Sequence, residues 1–371
     1  MVMADLTTFA ARQAAGAFIL PGPIADLQTL QGGHINDSFL VTVTAAEGPR
    51  RFVLQRLNRR VFPRPDLVME NVTRVLGHLA GDRSRPSPTL VVARQGGRWH
   101  MDAGGECWRM MNYIEGTVVK QRLSTPAEAA EVGRAFGRFQ RRMADFEGVR
   151  LHETLPGFHD LEGRMIQLSD AMHRDSHGRT GGADVELDRI LAESSLVGVV
   201  RALLESGEVP ERIVHNDAKS ANVLLDEQSG AATCVIDFDT VMPGSALADF
   251  GDMMRSSIAT AGEDEADLTR VDVSAPLFEG LVQGFLEAAG QTLTARERSS
   301  LVLAGRWIML EQAARFLTDY LEGDRYYRTV HPKHNLVRAR NQFRLFRSLT
   351  LRSSEFEAIA RQVCYQLGLT N

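Results

Sequence analysis

The stretch Ile213-Val-His-Asn-Asp-Ala-Lys-Ser-Ala-Asn-Val-Leu-Leu-Asp226 concentrates residue types that phosphoryl transfer needs. An apolar pair leads into His215-x-Asp217, then Lys219, Asn222 and a strand-like Val-Leu-Leu. A second apolar run, Thr233-Cys-Val-Ile, ends at Asp237 and is followed by Phe238 and Asp239. One carboxylate, Asp217, is placed to orient an attacking hydroxyl and accept its proton. An amide and a second carboxylate, Asn222 and Asp237, are placed to hold Mg²⁺ against the phosphates of ATP. A cation, Lys219, helps neutralise the migrating phosphoryl group. Any one of these could be a turn, cap or strand-end residue. Ordered between two strands, they point together to an ATP- and Mg²⁺-dependent transfer.

The spacing matches a protein-kinase-like catalytic loop, with Asp-x-Lys-x-x-Asn over 217–222 and a metal carboxylate ending a strand about 20 residues later. A second match, Asp249-Phe-Gly, comes too late and follows Pro243-Gly244, so Asp249 is read as structural, bonding backbone amides of the loop.

The elements that position this loop are legible upstream and downstream. Phe39–Thr44 and Arg51–Gln55 read as a hairpin, with Thr89–Ala93 and Cys107–Ile114 as further strands. Val68, Val72, Val75, Leu76 and Leu79 predict a helix after Pro65. Thr125-Pro-Ala-Glu128 is a capping box opening a helix with Val132, Phe136, Phe139 and Met143 on one face. Residues 176–182 read as an exposed loop, and the chain is mainly helical from about residue 270. The expected fold is α+β and two-lobed, protein-kinase-like. A β-rich nucleotide-binding lobe spans 1–114, a hinge lies at Glu115-Gly116, and a larger helical lobe over 115–371 carries catalysis and substrate.

The net charge of −5 gives no reason to expect nucleic acid or an anionic membrane as partner. The three cysteines are far apart, which argues against a disulfide framework or a zinc site. No long apolar run or signal-peptide core occurs, so no membrane partner and a cytoplasmic location are expected. There is no P-loop, no dinucleotide-binding glycine fingerprint, no zinc-protease helix and no nucleophile elbow.

Several segments resemble the aminoglycoside phosphotransferase-like kinases, and the hexosamine kinases among them. They are Gly32-Gly-His-Ile-Asn36, Phe52–Asn58, Trp108–Glu115, His215–Lys219, Ile236–Ser245, Arg315–Asp324 and His331–Arg338. The resemblance implies ATP at the interlobe hinge and a small-molecule sugar substrate, phosphorylated at the anomeric hydroxyl of GlcNAc or GalNAc. It implies Asp217 as base, Lys219 on phosphate, and Asn222 and Asp237 on Mg²⁺. Gly32, Gly33 and Asn36 cover the phosphates in this scheme, and backbone groups at Asn112, Tyr113 and Ile114 receive adenine. His34, Thr240, Arg315 and Tyr326 surround the sugar.

Gln55 departs from the wider kinase pattern, standing where a lysine normally pairs with the phosphates, and Arg56 points to the other strand face. Glu70 then has no strand lysine to pair with and is read as solvated. Two other readings stay open. In an aminoglycoside or amino-alcohol kinase, Glu263-Asp-Glu-x-x-Asp267 would supply an acidic wall for a cationic acceptor. In a catalytically silent nucleotide-binding protein, Gln55 would mark the lost activity.

Overall fold

A computed structural model describes residues 2–30, 35–81 and 86–369. The chain divides into two units, Met1–Thr117 and Val118–Asn371.

The first unit contains α1 (Val2–Ala15), β1 (Ile24–Thr29), β2 (Asp37–Ala45), β3 (Gly48–Arg56), α2 (Pro65–Leu79), β4 (His100–Met101) and β5 (Cys107–Asn112). The strands form one antiparallel sheet in the order β1-β2-β3-β5-β4. Alternation decides its faces: Phe39, Val41 and Val43 of β2 point inward, to pack with Phe52, Leu54, Trp108 and Met110. Thr89–Ala93, expected as a strand, forms isolated bridges only, Leu90 to Met111 and Ala93 to Phe18. Prolines at 86 and 88 remove backbone donors just ahead of it and keep the ladder from extending.

The second unit begins with the end of β6 (Thr117–Val119) and continues through α3 (Pro126–Met143), α4 (Leu161–Arg174), α5 (Asp184–Leu191) and α6 (Ser195–Glu205). Four short strands follow: β7 (Arg212–Val214), β8 (Val223–Asp226), β9 (Ala232–Val235) and β10 (Met242–Gly244). Then come α7 (Ala246–Ser257), α8 (Ala275–Ala289), α9 (Ala295–Ser299), α10 (Leu301–Leu321), α11 (His334–Leu351) and α12 (Ser353–Gln366). The capping box at the start of α3 forms as expected, Thr125 Oγ1 accepting from Glu128 N at 3.2 Å. The 176–182 loop carries one short 3₁₀ turn, Thr180–Gly182. Helix α10 is buried along nearly its whole length and packs on α4, α7 and α11.

Helices α3 and α8 lie backbone against backbone. A Cβ at Gly280 would overlap the Pro126 carbonyl oxygen, and one at Gly284 the Ala130 carbonyl oxygen. Neither obstacle is a side chain that can swing away, so the helices themselves must part. Gly284→Ala is expected to cost about 2–3 kcal/mol of stability, read as a lowered midpoint in urea unfolding; an unchanged midpoint would refute the close packing.

Candidate active site

The loop over 215–222 is held from several directions. From the first turn of α7, the buried Asp249 carboxylate accepts His215 N at 2.8 Å and Asn216 N at 2.7 Å, while Gln140 of α3 donates to it at 2.8 Å. Burial pushes the Asp249 carboxyl up in pKa, against the pull of His215 and these donors. Thr240 Oγ1 donates to the His215 carbonyl at 2.7 Å, and Asn216 Nδ2 donates to the Thr240 carbonyl at 2.9 Å. The buried His215 ring donates from Nε2 to the Ile236 carbonyl at 3.0 Å and packs edge-on against Phe136.

Asn216 and Asp237 both adopt left-handed backbone, φ 62° and 66°. Such conformations in non-glycine residues cost on the order of 1 kcal/mol or more and gather where the fold is overdetermined. Here they turn the chain sharply just before Asp217 and just after β9. The antiparallel β8–β9 pair sets Val223 opposite Val235, and Ile236 N donates to the Asn222 carbonyl at 2.9 Å. Asn222 and Asp237 therefore sit at one end of the hairpin.

Asp217 Oδ2 accepts from Lys219 Nζ at 2.7 Å and from Asn222 Nδ2 at 2.8 Å. Its Oδ1 accepts no hydrogen bond from the described residues, and its side chain is 27% exposed. Burial opposes ionisation of Asp217, but the Lys219 charge outweighs it and holds the carboxyl well below the usual range. Burial likewise opposes the Lys219 charge, and the fields of Asp217 and Asp237 outweigh it, keeping the ammonium charged far above neutrality.

Asn222 Nδ2 also donates to the Asp217 carbonyl at 2.8 Å, which fixes the amide and leaves Oδ1 as a hard oxygen donor near Asp237. No three His, Cys, Asp or Glu side chains among the described residues group into a metal cage. One amide and one carboxylate suit Mg²⁺, which ordinarily completes its shell with water and substrate phosphate oxygens.

The sequence-predicted acceptor residues fall into different settings. Arg315, on α10, lies 5.0 Å from the Phe158 ring and 5.8 and 5.7 Å from those of Tyr326 and Tyr327, with Nη1 donating to Gln312 Oε1 at 3.1 Å. Buried Asp319 shapes the neighbouring turn by accepting the N–H groups of Arg325, Tyr326 and Tyr327. Tyr326 is left 43% exposed. Thr240, by contrast, is buried with its hydroxyl proton committed to the loop backbone. Gly32, Gly33 and His34 lie outside the described residues.

In the first unit, Asn36 Oδ1 accepts from Asn58 N at 3.0 Å. The N–H groups of Asn112 and Tyr113 are donated to the Thr89 and Arg51 carbonyls, which, among the described residues, leaves that of Ile114 of the three proposed for adenine. Glu70 is exposed and Arg56 turns to Asp37. Sequence reading missed Arg109. It stands opposite Gln55 in the β3–β5 register, is buried, and donates through Nε and Nη2 to Gln55 Oε1 at 2.9 and 2.8 Å. The amide is thereby fixed with Nε2 toward Ser38 Oγ, 3.0 Å away.

The acidic run after α7 is paired within the chain. Glu263 meets Arg255 at 2.6 Å, Asp264 meets Arg338 and His334 at 2.6 and 2.8 Å, and Glu265 meets Arg270 at 2.8 Å. Asp267 accepts from the Thr269 amide and hydroxyl.

The model of the phosphotransferase enzyme family (APH) matches residues 26–297, and the chain belongs to that family. Its fold is similar to that of the microcompartment-associated aminopropanol kinase, at 17% identity and a TM-score of 0.57, covering 94% of this chain and 98% of that one. It is similar also to an aminoglycoside phosphotransferase from Alicyclobacillus acidocaldarius, at 14% identity and TM-score 0.56, with 96% of both chains covered. Spectinomycin phosphotransferase, solved with ADP and spectinomycin, is likewise similar at 12% identity and TM-score 0.54, over 92% of this chain and 94% of that one. The fold is protein-kinase-like, with a β-rich N-terminal part and a mostly helical C-terminal part. The protein is a small-molecule kinase, and kinases of its family use ATP and Mg²⁺. Among the described residues no helix is long and apolar enough to cross a membrane.

Asp249→Asn keeps the side-chain shape but turns an amide group toward three N–H donors. It is expected to cost on the order of 2–3 kcal/mol and to lower turnover with it, measured by urea unfolding and ATP consumption on the same preparation. Wild-type values in both would show that the loop does not depend on this carboxylate.

Proposed function

We propose that this kinase transfers the γ-phosphate of ATP to the anomeric C1 hydroxyl of an N-acetylhexosamine, GlcNAc or GalNAc, giving the sugar 1-phosphate. The observation that carries the transfer is the state of Asp217: one oxygen is fixed by Lys219 and Asn222, and the other is open to an acceptor hydroxyl.

In this reading residues 1–114 bind nucleotide, through Asn36, Gln55 and the Asn112–Ile114 segment together with Gly32 and Gly33, and residues 115–371 carry catalysis and acceptor. Asn222 and Asp237 would hold Mg²⁺, which would supply positive charge to offset that of the phosphates. Asp217 Oδ1 orients the C1 hydroxyl. The Pγ–O bond to ADP breaks as the bond from the sugar oxygen to Pγ forms, and the hydroxyl proton passes to Asp217. A carboxylate held so acidic is a weak base. It suffices for a loose transition state in which the proton leaves late, and an anomeric hydroxyl is more acidic than an ordinary alcohol. Positioning and charge supply the acceleration.

The acceptor assignment rests on the resemblance of the segments at 236–245, 315–324 and 331–338 to the hexosamine kinases. Two structural features support it. Arg315 beside the exposed Tyr326 offers a donor and an aromatic face suited to a neutral sugar. Glu263, Asp264 and Glu265 are each paired with an arginine of the chain itself, which weakens the case for a polycationic acceptor. His34 completes the proposed sugar contacts, with Thr240 contributing through the loop it holds.

Asp217→Asn is expected to retain Mg-ATP binding and lose at least about 100-fold in kcat. The assay is ATP consumption against GlcNAc, GalNAc, glucose, galactose and kanamycin, with phosphorus NMR of the product. Turnover confined to kanamycin would overturn the acceptor assignment, and undiminished turnover in the variant would remove Asp217 as base. Arg315→Ala should raise the acceptor KM at least tenfold while leaving the ATP KM within twofold. Equal effects on both would take Arg315 out of the acceptor site.

A further inference from the structure

His159 precedes α4, is remote in sequence from the 215–222 loop, and belongs to none of the motifs above. Its side chain is 9% exposed, and both ring nitrogens face oxygen: Nδ1 lies 3.0 Å from Glu311 Oε1 and Nε2 lies 3.0 Å from the Asn216 carbonyl. Glu311, only 1% exposed, takes the indole N–H of Trp307 on its other oxygen at 3.1 Å. A carbonyl can only accept, so Nε2 must carry hydrogen. The carboxylate already serves as acceptor to Trp307, which favours hydrogen on Nδ1 as well. Phe158 and Trp307 pack edge-on against the ring and fix its plane.

We propose that His159 is a positioning residue, an imidazolium that ties the backbone carbonyl immediately before Asp217 to the helix carrying Arg315. Glu311 and Arg315 are one turn apart on α10, so a single ring joins the acceptor-facing helix to the loop bearing the base. The carbonyl it grips belongs to Asn216, whose left-handed backbone directs Asp217. Releasing that carbonyl frees the turn to relax. The loop's inner side would still be held by Asp249.

The charges around the ring are consistent with this. Burial disfavours the cation, but Glu311 and, to a smaller extent, Asp252 of α7 outweigh it against the opposing charge of Arg315, leaving His159 raised above its ordinary pKa. The sign follows: a raised folded-state pKa gives stabilisation fully present below the ordinary value and lost as pH rises through the folded value.

The test has one arm on the unaltered protein. In ¹⁵N–¹H correlation spectra at pH 6.5, where an ordinary imidazole is only about half protonated, with His159→Gln used to assign the signal, both ring nitrogens of His159 should appear protonated; a neutral ring overturns the proposal. In the kinetic arm, His159→Gln should lower kcat at least tenfold with the ATP KM within twofold. Glu311→Gln keeps an acceptor but removes the charge, and should move the alkaline limb of kcat down by at least one pH unit. A purely structural role would lower stability without moving that limb, so an unmoved limb in a folded Glu311→Gln also overturns it. The proposal rests on Asp217 as base. If Asp217→Asn keeps its turnover while His159 shows the expected protonation and pH shift, that reading fails and the tie stands.

Discussion

Asp249 accepts three N–H groups in a fully buried position, two from the backbone of the 215–222 loop and one from Gln140 on α3. Backbone donors buried without partners would cost about 1–3 kcal/mol each, so the loop and the carboxylate require one another. Everything proposed for the chemistry hangs from that attachment. The left-handed turn at Asn216 is retained because its N–H, its carbonyl and its side-chain amide are each bonded to a different element: α7, His159 and Thr240. A turn so overdetermined can keep an unfavourable backbone angle and present Asp217 at its apex.

Charge is arranged around the loop in alternation. Asp217 is paired with Lys219, Lys219 also feels Asp237, Asp252 is paired with Arg255, and Arg255 with Glu263. Each pair is partly or wholly withdrawn from water, where removing one member leaves the other without compensation. Asp217 remains ionised and Lys219 remains charged under any ordinary condition, so the charges that the proposed transfer needs are in place before substrate arrives. Such preorganisation is what a transition state with little covalent demand on the protein rewards.

The parts legible in the sequence were those whose signal is local. The capping box at Thr125, the strand-like run Phe39–Thr44, and the ordered spacing of Asp217, Lys219 and Asn222 each lie within one turn or one strand. Asp249 could be separated from Asp237, the proposed metal ligand, by strand context, and the structure gives it the backbone-holding place expected of it. His159 and Glu311 were invisible because 152 positions separate them and neither belongs to a recognisable spacing. Thr89–Ala93 was overread: its composition is strand-like, but ladder formation depends on neighbours that composition does not encode. The acidic run at 263–267 was ambiguous for a related reason, since its cations come from α7 and α11 as well as from nearby sequence.

Gln55 shows how a local departure can be answered across a sheet. In isolation it removes the positive charge that a strand lysine would bring. The β3–β5 register sets Arg109 directly opposite, and its guanidinium grips the Gln55 oxygen through two donors. That contact fixes the amide orientation, since Oε1 must face the cation and Nε2 the other way. It also draws electron density toward the oxygen, which makes the Nε2 hydrogens better donors. A buried arginine keeps its charge where a lysine would lose its proton more readily. Gln55 backed by Arg109 is therefore a donor with a fixed direction and a cation behind it. The silent-protein reading drew its support from Gln55 standing alone, and in the folded sheet it does not stand alone.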